Sequence, residues 1–209
     1  MIALFFEVET RPGHRDQYLE LAASLRPHLD AMGGCLFIDR FASLTREHLL
    51  LSYQIWQDEA ALTAWRVHGY HHEVQTKGRE QVFSDYRIRI AQVVHEERPG
   101  KPVWQPVRRT PYNDPARRPS TFAVIAESKR AELPVATDWK RDDFKSVYRD
   151  GYFAHLIDVP DERAGVELGR RLLTNPTMEY VRVVEVMRDY GMFDRKEAPQ
   201  YYPAVKRDS

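Results

Sequence analysis

The chain has 209 residues, in which 31 Lys and Arg balance 31 Asp and Glu, and it contains one cysteine, Cys35. This length fits one large or two small domains, and zero net charge argues against a nucleic-acid partner. A single cysteine excludes an intrachain disulfide and suits a reducing compartment. No apolar run is long enough to span a bilayer, and residues 1–6 lack the features of a signal peptide. We therefore predict a soluble, cytoplasmic globular protein that binds neither nucleic acid nor membrane.

The first 97 residues alternate between strand and helix patterns. Aromatic and β-branched runs indicate strands, and apolar residues at helical spacing indicate amphipathic helices. Pro27 is expected to kink the first helix, Asp58 to cap the second, and Gly69 to break the second in two. The order βαββαβ predicts a ferredoxin-like α+β unit. The predicted strands cover 2–9, 35–42, 48–56 and 85–95, and the predicted helices cover about 14–31 and 58–82.

Residues 98–120 contain six of the thirteen prolines, which predicts a linker or a strap lying on the surface. Beyond it, Val181–Met187 resembles Ile88–Val94 in character, and Val159–Ala164 resembles Trp56–Ala61. We interpret 121–190 as a degenerate second copy of the unit. It has strands at 121–127, near 144–158 and at 178–189, a helix at 161–173, and no counterpart of the first helix. The predicted domains are 1–97, the linker 98–120, the copy 121–190, and a C-terminal arm, 191–209.

A four-stranded sheet with both helices on one face leaves its other face open. The strands carry more bulky side chains than can all lie under the helices, so a second sheet is expected to cover the open face. These side chains are Leu4 and Phe6 or Phe5, Phe37 and Phe41, Leu49 and Leu51, and Ile88 and Ile90. This second sheet belongs either to another chain, giving a symmetric dimer, or to the copy in 121–190, giving an internal pseudo-dimer. Both arrangements leave room for a small apolar ligand between each sheet and its helices.

The segment Leu51–Arg79, followed by Phe83–Arg87, resembles the antibiotic biosynthesis monooxygenase domain family, and the resemblance covers residues 1–97. It implies that the ferredoxin-like units form a dimeric, or internally pseudo-dimeric, α/β barrel. Members of the family include oxygenases that convert polycyclic phenols to quinones without a cofactor. Other members bind and degrade heme, and many have no assigned activity.

The resemblance to the quinone-forming members is partial at their site. Trp56 matches the tryptophan that lines their pocket. Ser52 stands where they have an asparagine, and Leu62 stands where they have a tyrosine. The resemblance therefore implies a pocket beside Trp56 in which two of the polar partners have changed.

The resemblance to the heme-degrading members is also partial. Trp65 matches their porphyrin-contacting tryptophan, but Gln75 replaces their axial histidine and Phe6 replaces their first-strand asparagine. His71 or His72 could act as the axial ligand only after a shift of about one helical turn. The implied cofactor is therefore either none or, as an alternative, heme held by His71.

The second predicted helix carries a stripe of side chains that is aromatic at its ends and polar in its middle. In such a pocket wall, His72 or His68 accepts a proton and Arg79 stabilises a phenolate. The alternative is that the tryptophans are core and the histidines are solvated. The spacing His68-x-x-His71-His72 also suits a metal, because imidazoles at i and i+4 share a helix face, but no third ligand lies at an obvious distance, so no metal site is predicted. The stripe comprises Trp65, Gly69, His72, Thr76, Arg79 and Phe83.

These observations predict a monooxygenase that oxidises a small aromatic or polycyclic phenol with O2. The alternatives are a heme-binding or heme-degrading monooxygenase and a non-catalytic protein that binds small ligands. The predicted catalytic residues are His72, His68 and Arg79, with His71 as a ligand only if heme binds. The predicted substrate-binding residues are Trp56, Trp65, Ser52, Leu62, Phe6 and Gln75.

Overall fold

The structure, a computed structural model, describes residues 1–105, 121–199 and 202. Most of the predicted linker and much of the C-terminal arm lie outside the described residues. No helix in the described ranges is both long and apolar enough to cross a membrane. The elements of the first half are β1 (Ile2–Thr10), α1 (Arg15–Ser24), α2 (Arg26–Met32), β2 (Cys35–Ser43), β3 (Leu49–Trp56), α3 (Glu59–Arg66), α4 (Gly69–Lys77), a π-helical turn (Gly78–Val82) and β4 (Phe83–Glu97).

The second half repeats the strand order with a single helix. Residues 129–140 form no helix, as expected from the missing apolar periodicity, so nothing replaces α1 and α2. The elements are β5 (Thr121–Ser128), β6 (Arg141–Ser146), β7 (Phe153–Val159), α5 (Glu162–Leu173) and β8 (Met178–Gly191).

The eight strands of the described ranges belong to one closed sheet. Hydrogen-bonded neighbours follow the order β1-β3-β2-β6-β7-β5-β8-β4, which returns to β1. Closure removes the exposed sheet edges that would otherwise recruit another strand. The chain therefore has the predicted α+β fold in its pseudo-dimeric α/β barrel form.

The chain divides into two compact units. The first unit holds residues 1–39, 48–89 and the described residues from 188 onward. The second unit holds residues 40–47 and the described residues between 90 and 187.

In the first unit, both predicted helices are interrupted one to two residues earlier than expected. The break between α1 and α2 falls at Leu25, because Pro27 lacks an N–H and its ring would clash with the preceding turn. Pro27 therefore lies in the first turn of α2. The second break falls at Val67 and His68, and Gly69 begins α4. Asp58 caps α3 as predicted, since its carboxylate accepts a hydrogen bond from the Ala61 amide at 2.8 Å.

In the second unit, α5 packs so close to the sheet that there is little room for a side chain at two of its positions, both of which are glycine. A Cβ atom at Gly165 would lie 2.7 Å from Cγ1 of Val183, and one at Gly169 would lie 3.0 Å from Cγ1 of Val181. Leu168 and Leu172 pack beside these glycines into a core of valine, isoleucine and alanine side chains. The space between this helix and the sheet is therefore filled by the protein itself.

A buried hydrogen-bond chain joins three strands of the second unit. His155 contacts Asp143 Oδ1 through Nδ1 at 2.8 Å and Ser128 Oγ through Nε2 at 3.0 Å. Ser128 and His155 are fully buried, and the Ser128 hydroxyl donates to the Arg130 carbonyl at 2.6 Å. The three residues are spaced like a catalytic triad. Ser128 is buried, however, and its hydroxyl hydrogen is already donated to the Arg130 carbonyl, so it lacks the exposure and the available proton of a triad nucleophile. These hydrogen bonds therefore link β5, β6 and β7.

Candidate functional site

A line of polar side chains runs along the helix-facing side of β3 in the first unit. The Trp56 indole Nε1 donates to Gln54 Oε1 at 2.9 Å, and Gln54 Nε2 donates to Ser52 Oγ at 3.1 Å. Side chains two residues apart on a strand share a face, which places all three on one side of the sheet. Phe6 pairs with Ser52 in the β1–β3 register and so lies on the same side.

The opposite face of β1 and β3 carries stacked aromatic rings and a buried ion pair. Phe5 on β1 and Tyr53 on β3 stack at 5.3 Å between ring centroids. Arg89 lies over the Phe5 ring and donates to Glu7 Oε1 at 2.8 Å, with both charged side chains buried. Phe5 is therefore one of the predicted bulky side chains that lie on the side of the sheet away from the helices, and Phe6 lies on the helix-facing side.

Phe6 is the centre of an aromatic cluster that includes three rings from two further elements, α1 and β4. Its ring centroid lies 5.6 Å from that of Tyr86, 5.7 Å from that of Phe83 and 6.5 Å from that of Tyr18, all in edge-on geometry. Phe6 is only partly buried, whereas the other three rings are buried. The cluster forms an apolar wall of the kind that binds a flat ligand.

The two predicted tryptophans lie together at the other end of the polar line. Trp56 is fully buried, Trp65 is 5% exposed, and their ring centroids are 6.5 Å apart. Leu62, one turn before Trp65 on α3, is also buried. His71 stacks flat on Trp65 at 4.3 Å, and His68 lies 5.6 Å from it.

The protonation state of His71 follows from its surroundings. Its Nδ1 lies 2.9 Å from the Trp65 carbonyl oxygen, which can only accept, so Nδ1 carries the hydrogen and Nε2 carries the lone pair. Burial lowers the pKa of His71 from 6.5 to about 4, because the charged form loses its hydration. His71 is therefore a neutral imidazole near pH 7.

Two guanidinium groups converge on Tyr86. Arg79, which is 9% exposed, donates to the Tyr86 hydroxyl oxygen, and Arg195 Nη1 donates to the same oxygen at 2.9 Å. The Arg79 guanidinium also lies 4.7 Å from the centroid of the Tyr202 ring. A buried cation held in this way can stabilise negative charge on a bound oxygen, because screening by water is weak there.

His72 lies beside this cationic cluster. Its Nδ1 is 2.8 Å from the Tyr202 hydroxyl oxygen, and the two rings meet edge-on at 5.1 Å. Thr76, one turn further along α4, places Oγ1 at 2.9 Å from the same oxygen. The predicted pair His72 and Arg79 is therefore brought to one place, through a tyrosine from the C-terminal arm.

His68 and Gln75 occupy different surroundings from His72. His68 packs beside Trp65 and 5.5 Å from His28. His68 Nδ1 and Gln75 Oε1 are buried atoms without a hydrogen-bond partner among the described residues. Such atoms are uncommon in folded proteins and are satisfied by water or by a ligand.

Gln54, Arg195 and Tyr202 were missed in the sequence analysis. Gln54 precedes Trp56 by two residues on the same strand, so strand alternation could have identified it. Arg195 and Tyr202 reach the site from more than 100 residues away along the chain, and no sequence pattern indicates that approach.

The described part of the second unit lacks an equivalent site. Phe122 pairs with Val159 as Ile2 pairs with Trp56, so a valine stands where the first half has its buried indole. The face behind it is packed by α5. A cavity of about 500 Å³ lies elsewhere in this unit, along the non-helical segment between β5 and β6, and is lined by Leu133, Val135, Ala136, Thr137, Trp139 and Arg141.

Comparison with known proteins identifies relatives of this chain. A family model described as antibiotic biosynthesis monooxygenase matches residues 1–77. A jasmonate monooxygenase ABM from Pyricularia oryzae is 31% identical over 224 residues, which cover 97% of this chain and 99% of that protein.

Solved structures give more distant matches. An anthrone oxidase-like protein is 10% identical, with a TM-score of 0.40, and covers 95% of this chain and 96% of its own. An antibiotic biosynthesis monooxygenase is 18% identical, with a TM-score of 0.41, and covers 45% of this chain and 99% of its own. A conserved protein from Methanosarcina mazei is 19% identical, with a TM-score of 0.40, and covers 43% and 88% respectively.

Proposed function

Because the chain belongs to the antibiotic biosynthesis monooxygenase family, we propose that it oxidises a small phenol or enol with O2 and without a bound cofactor. The proposed site lies in the first unit, between the helix-facing side of the sheet and α3–α4. We also propose that the protein is cytoplasmic, as its sequence predicts.

One observation carries the proposal: His72 and the buried Arg79 lie together beside a wall of aromatic rings. A flat substrate that contacts Phe6 and Phe83 would direct its oxygen towards Arg79 and Tyr86. His72 would accept the proton, and the guanidinium would stabilise the resulting oxyanion.

The oxidation of an anthrone-type phenol by O2 needs no external reductant. An anthrone-type phenol loses a proton, and its carbanion reduces O2 by electron transfer and forms a carbon–oxygen bond. One oxygen atom becomes the new carbonyl and the other leaves as water with the two hydrogens of the oxidised CH2 group. The substrate itself supplies all the electrons, so the protein needs only to position, deprotonate and shield it.

Jasmonate, named for the Pyricularia oryzae relative, belongs in the substrate panel. It is a small apolar ketone with a carboxylate, and Arg79 and Arg195 could pair with that carboxylate. Hydroxylation of an unactivated carbon consumes two further electrons, so turnover of jasmonate would require an added reductant. Dependence on a reductant thus separates the two substrate classes.

Oxygen uptake with anthrone-type phenols tests the proposal. We expect His72→Gln to lower kcat about 100-fold and Arg79→Leu to do so by a similar factor, since a general base and an oxyanion partner each contribute on that scale. His48→Ala is the matched control, because His48 is exposed on a loop. Full turnover in both site variants would contradict the site. Tight binding of an anthraquinone without oxygen uptake on the whole panel would indicate a non-catalytic binding protein.

Heme is a second candidate because of the state of His71. Its Nδ1–H donates to a backbone carbonyl and its Nε2 carries the lone pair, which is the usual arrangement of a histidine ligand. His71 would hold the iron, and the heme would supply oxygen activation. Titration with hemin tests this: a Soret band that His71→Ala abolishes supports it, and a flat titration eliminates it.

A further inference from the structure

Tyr86 lies where the aromatic wall of the site meets its cationic groups. Its ring packs edge-on against Phe6 and Phe83, at 5.6 and 6.3 Å between centroids. The residue is buried, with 7% of its surface exposed. Its hydroxyl group therefore lies at the end of an apolar surface that suits a flat ligand.

The two arginines that contact this hydroxyl can only donate hydrogen bonds. Arg79 donates to the Tyr86 oxygen, and Arg195 Nη1 donates to the same oxygen at 2.9 Å. A guanidinium group has no acceptor atom, so neither arginine can receive the hydroxyl hydrogen of Tyr86. Other contacts of the two arginines do not alter this, because the arginines are the donors in all of them.

The hydroxyl hydrogen of Tyr86 is therefore left for another acceptor. Among the described residues, the Tyr86 oxygen accepts twice and donates to no side chain or backbone group. Arg195 is itself held in place, since Nε donates to the Tyr202 carbonyl at 2.7 Å and Nη1 to the Gly191 carbonyl at 3.3 Å. A buried donor without an acceptor is costly unless water or a ligand accepts from it.

We propose that Tyr86 is a further catalytic residue, which donates its hydroxyl hydrogen to the oxygen of the substrate. The inference rests on the proposed function and names the form in which the substrate binds. Tyr86, Arg79 and Arg195 offer donors to a ligand oxygen. A carbonyl or an oxyanion accepts hydrogen bonds and has no hydrogen of its own to place, and negative charge strengthens each bond. The substrate class is therefore a flat ketone and its enolate or phenolate.

This assignment gives the deprotonation step a balanced form. The hydrogen on the carbon next to the conjugated carbonyl system leaves as a proton to His72. The electron pair of the broken C–H bond moves to the carbonyl oxygen, which gains negative charge and accepts more strongly from Tyr86. The enolate then reacts with O2 as proposed above.

Binding of 4-nitrophenol to the full-length protein tests the donor role without any turnover. The phenolate of this probe absorbs visible light and the phenol does not, so the spectrum at one pH gives the ratio of the two forms when bound. We expect the wild type to raise the phenolate ratio above that of the free probe. Tyr86→Phe should lower the bound ratio about 10-fold, because it removes one hydrogen bond to a charged oxygen.

Tyr148→Phe is the matched control, at an exposed tyrosine of the second unit, and should keep the wild-type ratio. Absence of binding, a bound ratio no higher than that of the free probe, or the same ratio in wild type and Tyr86→Phe overturns the inference.

Tyr86 can donate only if it keeps its hydrogen. The ultraviolet spectrum distinguishes tyrosine from tyrosinate, so the difference between wild type and Tyr86→Phe at pH 7, without ligand, reports the state of this residue. We expect the difference spectrum of a neutral phenol. A tyrosinate band overturns the inference, since a tyrosinate oxygen can only accept.

Kinetics extend the test to the proposed reaction. We expect Tyr86→Phe to lower kcat about 100-fold in oxygen uptake with an anthrone-type substrate, the usual effect of removing one donor to a developing oxyanion. An unchanged kcat overturns the inference. If Tyr86→Phe lowers the bound phenolate ratio but the wild type takes up no oxygen with any substrate of the panel, the donor role stands and the proposed function fails.

Discussion

Gln54 holds the polar line of the site together, because its amide accepts from Trp56 and donates to Ser52. Gln54→Leu keeps the volume but leaves the indole N–H and the serine hydroxyl without this partner. We expect the free energy of unfolding to fall by about 1–3 kcal/mol, the usual cost of stranding buried polar groups. Denaturant unfolding measures it. Gln57→Leu, at an exposed position just after β3, is the control and should change little; equal effects would count against the role of the line.

His71 makes the stability of the fold depend on pH. Burial lowers its pKa to about 4 in the folded chain, while in the unfolded chain the imidazole titrates near 6.5. Between these values the unfolded chain binds a proton that the folded chain does not, so the free energy of unfolding decreases as pH falls from 6.5 to 4.

His71→Phe retains a ring on Trp65 and removes this titration. We expect the variant to lose less stability than the wild type between pH 7 and pH 5, measured by denaturant unfolding at both values. His48→Phe, on an exposed loop, should keep the full wild-type loss. An identical loss in wild type and His71→Phe would show that His71 does not contribute.

Among the elements, helix breaks position the candidate site. The extended backbone of His68 separates α3 from α4, and α4 then carries His72 and Thr76 to Tyr202. Sequence patterns predicted the strands and the helical regions to within a few residues. They placed the breaks one to two residues late. At Pro27 the reason is steric, because the proline ring conflicts with the residues that precede it.

Gly165 sets the distance between α5 and the sheet in the second unit. Gly165→Ala would place a methyl group 2.7 Å from Val183, so the helix must move away. We expect a loss of about 1–3 kcal/mol in the free energy of unfolding, the typical cost of overpacking.

Gly69→Ala is the matched control, since a Cβ there meets nothing within 4 Å. Alanine is the better helix former, so this control should be neutral or slightly stabilising. Thermal or denaturant unfolding of both variants checks the prediction. A stable Gly165→Ala protein would mean that α5 has room to shift.

The described residues form two halves with the same strand order, and the candidate site lies in the first half. The first half has the buried Trp56, which packs against Trp65 of α3, whereas the second has Val159 and a helix that approaches the sheet closely at Gly165 and Gly169. We expect one ligand to bind per chain. Calorimetric titration with an anthraquinone-type product analogue measures this stoichiometry, and Gln54→Leu should weaken the binding. Two equivalent ligands per chain would contradict the assignment of the site to the first unit.

Local chemistry was enough to predict several features from the sequence. Strand and helix periodicity, the Asp58 cap and the apolar second sheet face depend on residues close together in the chain, and together they predict α+β units that need a cover. Trp65, His72 and Arg79 were candidates because they lie on one stripe of a helical region, and Trp56 was a candidate because of the family resemblance.

Only the tertiary structure decided that the sheet closes within one chain, and which side chains meet. Strand order around a barrel depends on contacts between segments far apart in sequence, for which no local pattern exists. For the same reason the sequence did not indicate Arg195 and Tyr202 as site residues, since their contacts with Tyr86 and His72 span more than 100 residues. Spatial proximity across such separations is a property of the packed fold.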